Sequence, residues 1–405
     1  MTAGLLFLGV AGARAGRGGL DSNRALYRND AFESNFWDEC PHFMRETIYL
    51  DHQATTPLAP EALAAMLPWL SGPETPGFAN PHSMHRAGRG AAAAVEVARE
   101  QVGRLLPKGG RVIFTSGATE AINQAIRTVA RGPIAYSAIE HSAVVNAAAA
   151  SGAECSELPV GSEGLVDPEV EIAEGTGLVA VMQVNNEIGT IQPVARLAER
   201  AHEAGALFLC DAVQGAGKIA PPQSADLIAI TAHKLYGPKG IGALWVREGV
   251  AIGPLIEGGG QESGLRSGTL SPALCAGFGA AAALSLERID VDFQHLSGLA
   301  SRAREILSRW TVNGSETSRW PGNLSLRLPG LNFPRLLSDC RNIAFSAGSA
   351  CGSGTGAPSR VLTAIGLEAK EARNSIRLGF GRYSTREEVE TACHALEAAA
   401  KAQGC

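Results

Sequence analysis

Aromatic residues are scarce: 12 Phe, 5 Trp and 5 Tyr among 405 residues. Trp and Tyr are too few and too scattered to build a base-stacking platform for single-stranded nucleic acid. An excess of positive charge is also lacking. Lys and Arg number 35 against 40 Asp and Glu, a formal net charge of −5, and no basic stripe appears locally. Nothing therefore supports a nucleic-acid partner. None of the eight cysteines (40, 155, 210, 275, 340, 351, 393 and 405) forms a C-x-x-C pair, which removes the zinc knuckle and the dithiol redox motif. They read as reduced thiols of a cytoplasmic protein, most of them structural, as Cys210 inside Leu207–Cys210 suggests. The apolar run Leu5–Val10 is far too short to cross a bilayer. Its charges, Arg14 and Arg17, follow it where a signal peptide would place them first. Residues 1–47 are expected to be a disordered extension, with Met44 an alternative start.

What is present is an alternating texture. Short apolar runs lie at 112–115, 133–138, 178–184, 207–211, 226–231 and 241–246, with a weaker one at 154–160. Segments with helical spacing separate several of them, such as Val95, Ala98, Val102 and Leu105, or Ile122, Ala125, Ile126 and Val129. Near-continuous apolar strands alternating with helices predict an α/β fold. Its large domain, 61–289, is built on a mostly parallel seven-stranded sheet flanked by helices. After about residue 289 the texture changes to a polar helical stretch (287–309), strand-like runs at 323–328, 342–345 and 375–380, and a closing helix near 385–402. Together with 48–60, residues 290–405 are expected to form a smaller α+β domain.

Ligands of open α/β sheets sit beyond the carboxyl ends of the strands, and the residues there are consistent. Thr115-Ser116-Gly117-Ala118-Thr119-Glu120 is a small-residue turn opening a helix, which by itself reads either as a phosphate seat or as a plain N-cap by Ser116 or Thr115. Later strand ends bring Glu140-His141, Asn185–Gly189, Asp211–Gln214 and Thr231-Ala232-His233-Lys234. A buried Asp followed by a Lys at the next strand end suits pyridoxal phosphate. That cofactor needs an amine for its Schiff base and a carboxylate to keep its pyridine nitrogen protonated.

Ile48–Pro57, the Thr115–Glu120 turn, Asn185–Gly189, His233–Gly242 and Arg266-Ser267-Gly268-Thr269 resemble the cysteine desulfurases, pyridoxal-phosphate enzymes of fold type I. The resemblance covers about residues 48 to 400. It implies that Lys234 carries the cofactor and Asp211 pairs with its ring nitrogen, while His141 stacks on the ring and assists proton transfer. It further implies that Gln214 meets the ring hydroxyl and Asn185 the same edge of cofactor or substrate. Ala118, Thr119, Thr231 and His233 would hold the phosphate, position 231 being Thr where many relatives have Ser. Thr269 resembles a phosphate ligand given by a neighbouring subunit, which implies a homodimer.

Ser346–Ser359 surrounds Cys351 with Gly, Ser and Ala, which leaves little packing to fix the thiol. The stretch resembles the long-catalytic-loop subgroup and implies that Cys351 takes sulfur from L-cysteine as a persulfide and passes it to an acceptor protein. Arg377, in Ser375–Leu378, would grip the substrate carboxylate. Arg382 has no assignment. His82 and His85 read as loop structure, so no metal is expected. A related lyase or aminotransferase acting on selenocysteine or kynurenine remains an alternative, as does a catalytically silent assembly protein. The chain stops at Gly404-Cys405, with Cys405 expected to be exposed. Many long-loop relatives continue into a scaffold-docking tail, so the acceptor stays open between an iron–sulfur scaffold and a tRNA-thiolation carrier.

Overall fold

All seven apolar runs become strands of one sheet. The computed structural model of the chain describes residues 47–70, 72, 75–129, 131–347 and 358–405. The expected extension, but for Thr47, and the glycine-rich stretch with Cys351 lie outside these residues. The described chain opens with β1 (Ile48–Tyr49), α1 (Pro60–Met66) and α2 (Arg86–Gly103). Next come β2 (Gly110–Thr115), α3 (Ala118–Val129), β3 (Ile134–Ser137), α4 (Ser142–Ala150) and β4 (Cys155–Leu158). They are followed by β5 (Leu178–Ala180), α5 (Val194–Glu203), β6 (Leu207–Asp211), β7 (Leu227–Thr231) and β8 (Gly242–Arg247).

The order across the sheet is β2-β8-β7-β6-β5-β3-β4. Strands β4, β3, β5, β6 and β7 run parallel, and β8 is antiparallel to both β2 and β7. Because β8 reverses between them, β2 points the same way as β7. The carboxyl ends of β2, β3, β6 and β7 therefore share one edge. Period-2 alternation divides the side chains between two faces. Ile228, Ile230, Ala243 and Trp245 join one core with α2 and α5. Leu227, Ala229, Leu244 and Val246 join the other with α3 and α4.

Beyond β8 the chain forms α6 (Pro272–Ile306), β9 (Thr311–Val312), β10 (Asn323–Arg327), α7 (Phe333–Asp339) and β11 (Ile343–Ala344). It ends with α8 (Arg360–Ala364), α9 (Ala369–Arg373), β12 (Ser375–Gly379) and α10 (Arg386–Ala402). A three-stranded antiparallel sheet, β12-β10-β9, and the parallel pair β1-β11 surround a further core that includes Leu50, Trp320, Leu326, Leu378 and Leu396.

The change of texture near 289 is not an element boundary, because α6 runs through it for 35 residues. Ser271 caps the helix and Pro272 opens it, both favourable positions. Its first half, with Cys275, Phe278 and Ala281, packs on the large sheet, whereas Leu296, Leu299 and Ala303 serve the other core. A side chain at Gly279 would come within 2.8 Å of the Ala98 Cα, so glycine lets α2 and α6 approach. Residues 48–405 make one compact unit containing these cores.

Candidate active site

The shared edge of strand ends, the segment Gln53–Thr55 and Arg377 of β12 enclose a cavity of about 630 Å³. At one end, Ala118 and Thr119 open α3 and line it. The turn before them is braced: Ser116 N–H donates to Glu120 at 2.8 Å, and Arg266 holds the same carboxylate at 2.8 Å. Gly242 of β8 lies beneath, where a Cβ would meet the Gly117 Cα at 2.7 Å. Thr231, paired with Gly242, and His233 line the cavity as well. Thr231 Oγ1 donates to the Ile241 carbonyl at 3.1 Å. Burial, aided by the charges of Lys234, Lys239 and Lys218, pushes the His233 ring down to about 4. It is therefore a neutral imidazole, with Nδ1 3.1 Å from Thr55 Oγ1.

Deeper in, Asp211 ends β6 with only 5% of its surface exposed. Its Oδ1 accepts the Val213 N–H at 3.0 Å. Burial raises its carboxyl above the usual range, opposed by that N–H and by His141 and Lys234. Glu140 is buried nearby and pushed up to about 8, burial being the main cause. Its Oε1 accepts from both Ser137 Oγ (2.6 Å) and Met182 N–H (2.7 Å), which leaves the proton of a neutral acid on Oε2. His141 caps α4, its Nδ1 accepting the Ala143 N–H at 3.1 Å. That bond places the ring proton on Nε2.

Lys234 sits in the short turn after β7, and its Nζ donates to the carbonyls of Gln53 and Ala54, both at 2.6 Å. The same N-terminal segment is fastened to the lysine turn: Thr56 N–H donates to the His233 carbonyl (2.9 Å), and Tyr236 N–H to Thr56 Oγ1 (2.8 Å). These bonds help hold Tyr236 at φ 68°, an unusual conformation for a tyrosine. Gln214 is buried, donates through Nε2 to the Gln53 carbonyl (3.0 Å) and accepts from Lys218 Nζ (3.3 Å).

Arg377, almost wholly buried, reaches the cavity from β12. It donates to Asp51 Oδ1 at 2.6 Å and to the Asn186 carbonyl at 3.0 Å. Asn185 does not line the cavity. Its amide bonds Ile139 O, Met182 Sδ and the N–H groups of Glu187 and Ile188, while Asn186 takes the place on the wall. Thr269 is exposed and away from the lining.

Cys351 falls outside the described residues, but both flanks of its segment are anchored beside the cavity. Ser346 Oγ donates to Asp51 Oδ1 at 3.0 Å. Ser359 Oγ donates to Glu187, and Arg360 to the Glu140 carbonyl at 2.9 Å. The roles of Asp51, Gln53 and Ala54 escaped the sequence reading. Two act through main-chain oxygen, which no residue type announces, and Asp51 showed only as part of a segment resemblance.

Elsewhere, His85 Nδ1 caps α2 by accepting the Gly88 N–H. No group of three or more His, Cys, Asp or Glu that could hold a metal occurs among the described residues. Among the same residues no helix is long and apolar enough to cross a membrane. Cys405 differs from expectation: it is half-buried against the second core, because the Arg309 guanidinium holds its carbonyl at 3.0 Å.

The cavity suits pyridoxal phosphate by its own chemistry. It joins an amine, an anion seat at a helix N-terminus and a buried carboxylate whose charge would be costly without a cationic partner. A profile of the class-V aminotransferase family matches residues 48–391. Cysteine desulfurase IscS of Rickettsia typhi is 40% identical over 372 residues, covering 86% of this chain and 90% of that protein. A mitosomal cysteine desulfurase of Encephalitozoon cuniculi is 42% identical over 370 residues, covering 85% and 84%. The solved structure of a NifS-like protein superposes with a TM-score of 0.79 at 32% identity, over 87% of this chain and 98% of that one. On these matches the chain belongs to the class-V aminotransferases, and within them to the pyridoxal-phosphate-dependent cysteine desulfurases.

Proposed function

We propose that the chain takes sulfur from L-cysteine, releases L-alanine, and holds the sulfur as a persulfide on Cys351 for an acceptor protein. One observation carries the reading. Lys234 and Asp211 share a cavity with Arg377, and the segment bearing Cys351 is anchored at both flanks beside that cavity.

Pyridoxal phosphate, when bound, supplies an electron sink that eases loss of the substrate α-proton. Lys234 and Asp211 would hold it at amine and ring nitrogen, and Ala118, Thr119, Thr231 and His233 at the phosphate, with Gln214 at the ring edge. Arg377 orients the substrate carboxylate. Two of its N–H groups serve Asp51 and Asn186, and among the described residues three of the five have no other partner. Lys234 Nζ removes the proton at the substrate Cα. His141, which lines the cavity with its ring proton on Nε2, would stack on the ring and assist proton transfer. Asn185 holds the Asn186 turn that forms the wall.

The Cys351 thiolate then attacks the substrate sulfur. An S–S bond forms and the Cβ–S bond breaks, with the electron pair passing to the carbon skeleton, which takes a proton and leaves as alanine. The acceptor is an iron–sulfur scaffold or a tRNA-thiolation carrier in the cytoplasm. Thr269 would complete the phosphate site of a second copy in a homodimer.

Cys351→Ser tests the reading. The variant should keep the cofactor's visible band yet release no alanine from cysteine. The wild-type peptide containing Cys351 should gain the mass of one sulfur. Undiminished alanine release by the variant would remove Cys351 from the reaction.

A further inference from the structure

Gln53 lines two cavities. One is the cofactor cavity; the other, of about 20 Å³, is shared with His52, Lys218, Asp292, Trp320 and Arg382. Two buried polar atoms of its wall residues have no hydrogen-bond partner among the described residues: Gln53 Oε1 and Arg382 Nη1. The ends of the Gln53 amide are not interchangeable, because Nε2 donates to the Gly322 carbonyl at 2.8 Å. Oε1 therefore needs a donor. Arg382 is fixed as well, its Nε on Asp292 at 2.7 Å and its guanidinium 4.3 Å above the Tyr236 ring. An anion would satisfy Arg382 and leave the Gln53 oxygen bare. A single water offers both the acceptor and the donor that these two atoms call for, and the cavity exceeds the roughly 10–15 Å³ that one water requires.

Lys218 joins this cavity to the active site. Its Nζ donates to Gln214 Oε1 at 3.3 Å, Gln214 Nε2 donates to the Gln53 carbonyl at 3.0 Å, and Lys234 donates to that same carbonyl at 2.6 Å. With the Gln214 amide reversed, its NH₂ would face the Lys218 donor. Lys218 and the Gln53 carbonyl thereby hold the Gln214 amide in one orientation, its oxygen toward the amine and its N–H toward the carbonyl.

We propose that Lys218 is a positioning residue, holding Gln214 with its N–H toward the cofactor cavity, and that the small cavity beside it holds one ordered water joining Lys218, Gln53 Oε1 and Arg382 Nη1. This rests on the functional reading above. The groups facing Lys218 are His52, Asp292 and Arg382 around the small cavity, with Lys234 across Gln214 and Gln53. Burial, and then the Lys234 charge, push its amine down to about 7.

The test uses cofactor-loaded wild-type protein, Lys218→Met and Lys218→Gln. Each is titrated from acid to alkaline pH while the visible absorbance band is followed. Lys218→Met should keep one cofactor per chain while the midpoint of the band rises by at least about half a unit, since a bond that holds the Gln214 orientation is lost and, below about pH 7, a neighbouring positive charge with it. Lys218→Gln, which keeps a donor, should move less. Unchanged midpoints in both variants with only a lower Tm would make Lys218 merely structural and overturn the proposal. A wild-type chain without any band would instead overturn the functional reading itself. A crystal structure of the loaded wild type should show a water bonded to Gln53 Oε1 and Arg382 Nη1. An empty cavity in a map that shows other internal waters would refute that part whether or not the variants fold.

Discussion

Arg377 and Asp51 lie 326 residues apart in sequence and 2.6 Å apart in the fold, and the carboxylate oxygen that binds the guanidinium also accepts the Ser346 hydroxyl at 3.0 Å. The pair joins the substrate-binding side of the cavity to the first flank of the Cys351 segment. Arg377→Lys keeps the charge and loses the fork. The KM for cysteine should rise about ten- to a hundredfold, the value of one or two charge-assisted bonds. Alanine release at varied cysteine measures it, and an unchanged KM would leave Arg377 with a packing role only. Asp51→Ala strands a buried guanidinium and should cost about 3 kcal/mol in urea unfolding of the cofactor-free protein.

Glu140 gives a pH signature. Its folded pKa, about 8, lies above the ordinary 4.5. Between those values the folded chain holds a proton that the unfolded chain releases, so stability falls as pH rises from about 4.5 to 8. Glu140→Gln, neutral throughout, keeps an oxygen for Ser137 and Met182. Its Tm relative to wild type should climb across that window and level off above it. A difference that does not change with pH would mean Glu140 ionises normally.

His52 and His233 act in the other direction. Both are pushed down to about 4, mainly by burial. Between about 6.5 and 4 the unfolded chain takes up protons that the folded chain refuses, so their contribution is complete above 6.5 and lost as pH falls. For His52, bonded to the Gly379 carbonyl at 2.9 Å, the lost stability is about 3 kcal/mol. His52→Asn should flatten the acid limb of a Tm-against-pH curve without moving the neutral plateau toward acid values. An equally steep limb would clear His52 of the effect.

Thr269 separates subunit contribution from local structure. It is exposed and touches none of the cavity within its own chain. Thr269→Ala should leave the Tm of the cofactor-free chain unchanged while weakening cofactor binding about tenfold, the loss of one bond to a charged group. Equilibrium dialysis against pyridoxal phosphate would show it. Unaltered affinity would return Thr269 to an ordinary surface loop.

Much of this was readable because apolar periodicity and strand-end chemistry are local. The runs at 207–211 and 226–231 announced β6 and β7, and Asp211 and Thr231 stand at their ends as expected. Where signals were not local, the residues said less. The texture change near 289 falls inside α6, whose apolar residues serve two cores in turn. Asn185 and Asn186 look alike in sequence, and only the turn's backbone bonds put the first in the packing and the second on the wall.

The sequence by itself determined the seven strands, the order of chemical groups at their ends, and Lys234 with Asp211 as the groups fit for the cofactor. Tertiary structure alone decided what surrounds them. It placed the Gln53 and Ala54 carbonyls on the lysine, Asp51 on Arg377, and Lys218 between an active-site amide and a small polar cavity. The physical reason is that parallel strands align their ends through register, which residue patterns encode, whereas a backbone oxygen or a distant carboxylate acquires its partner only when the chain closes upon itself.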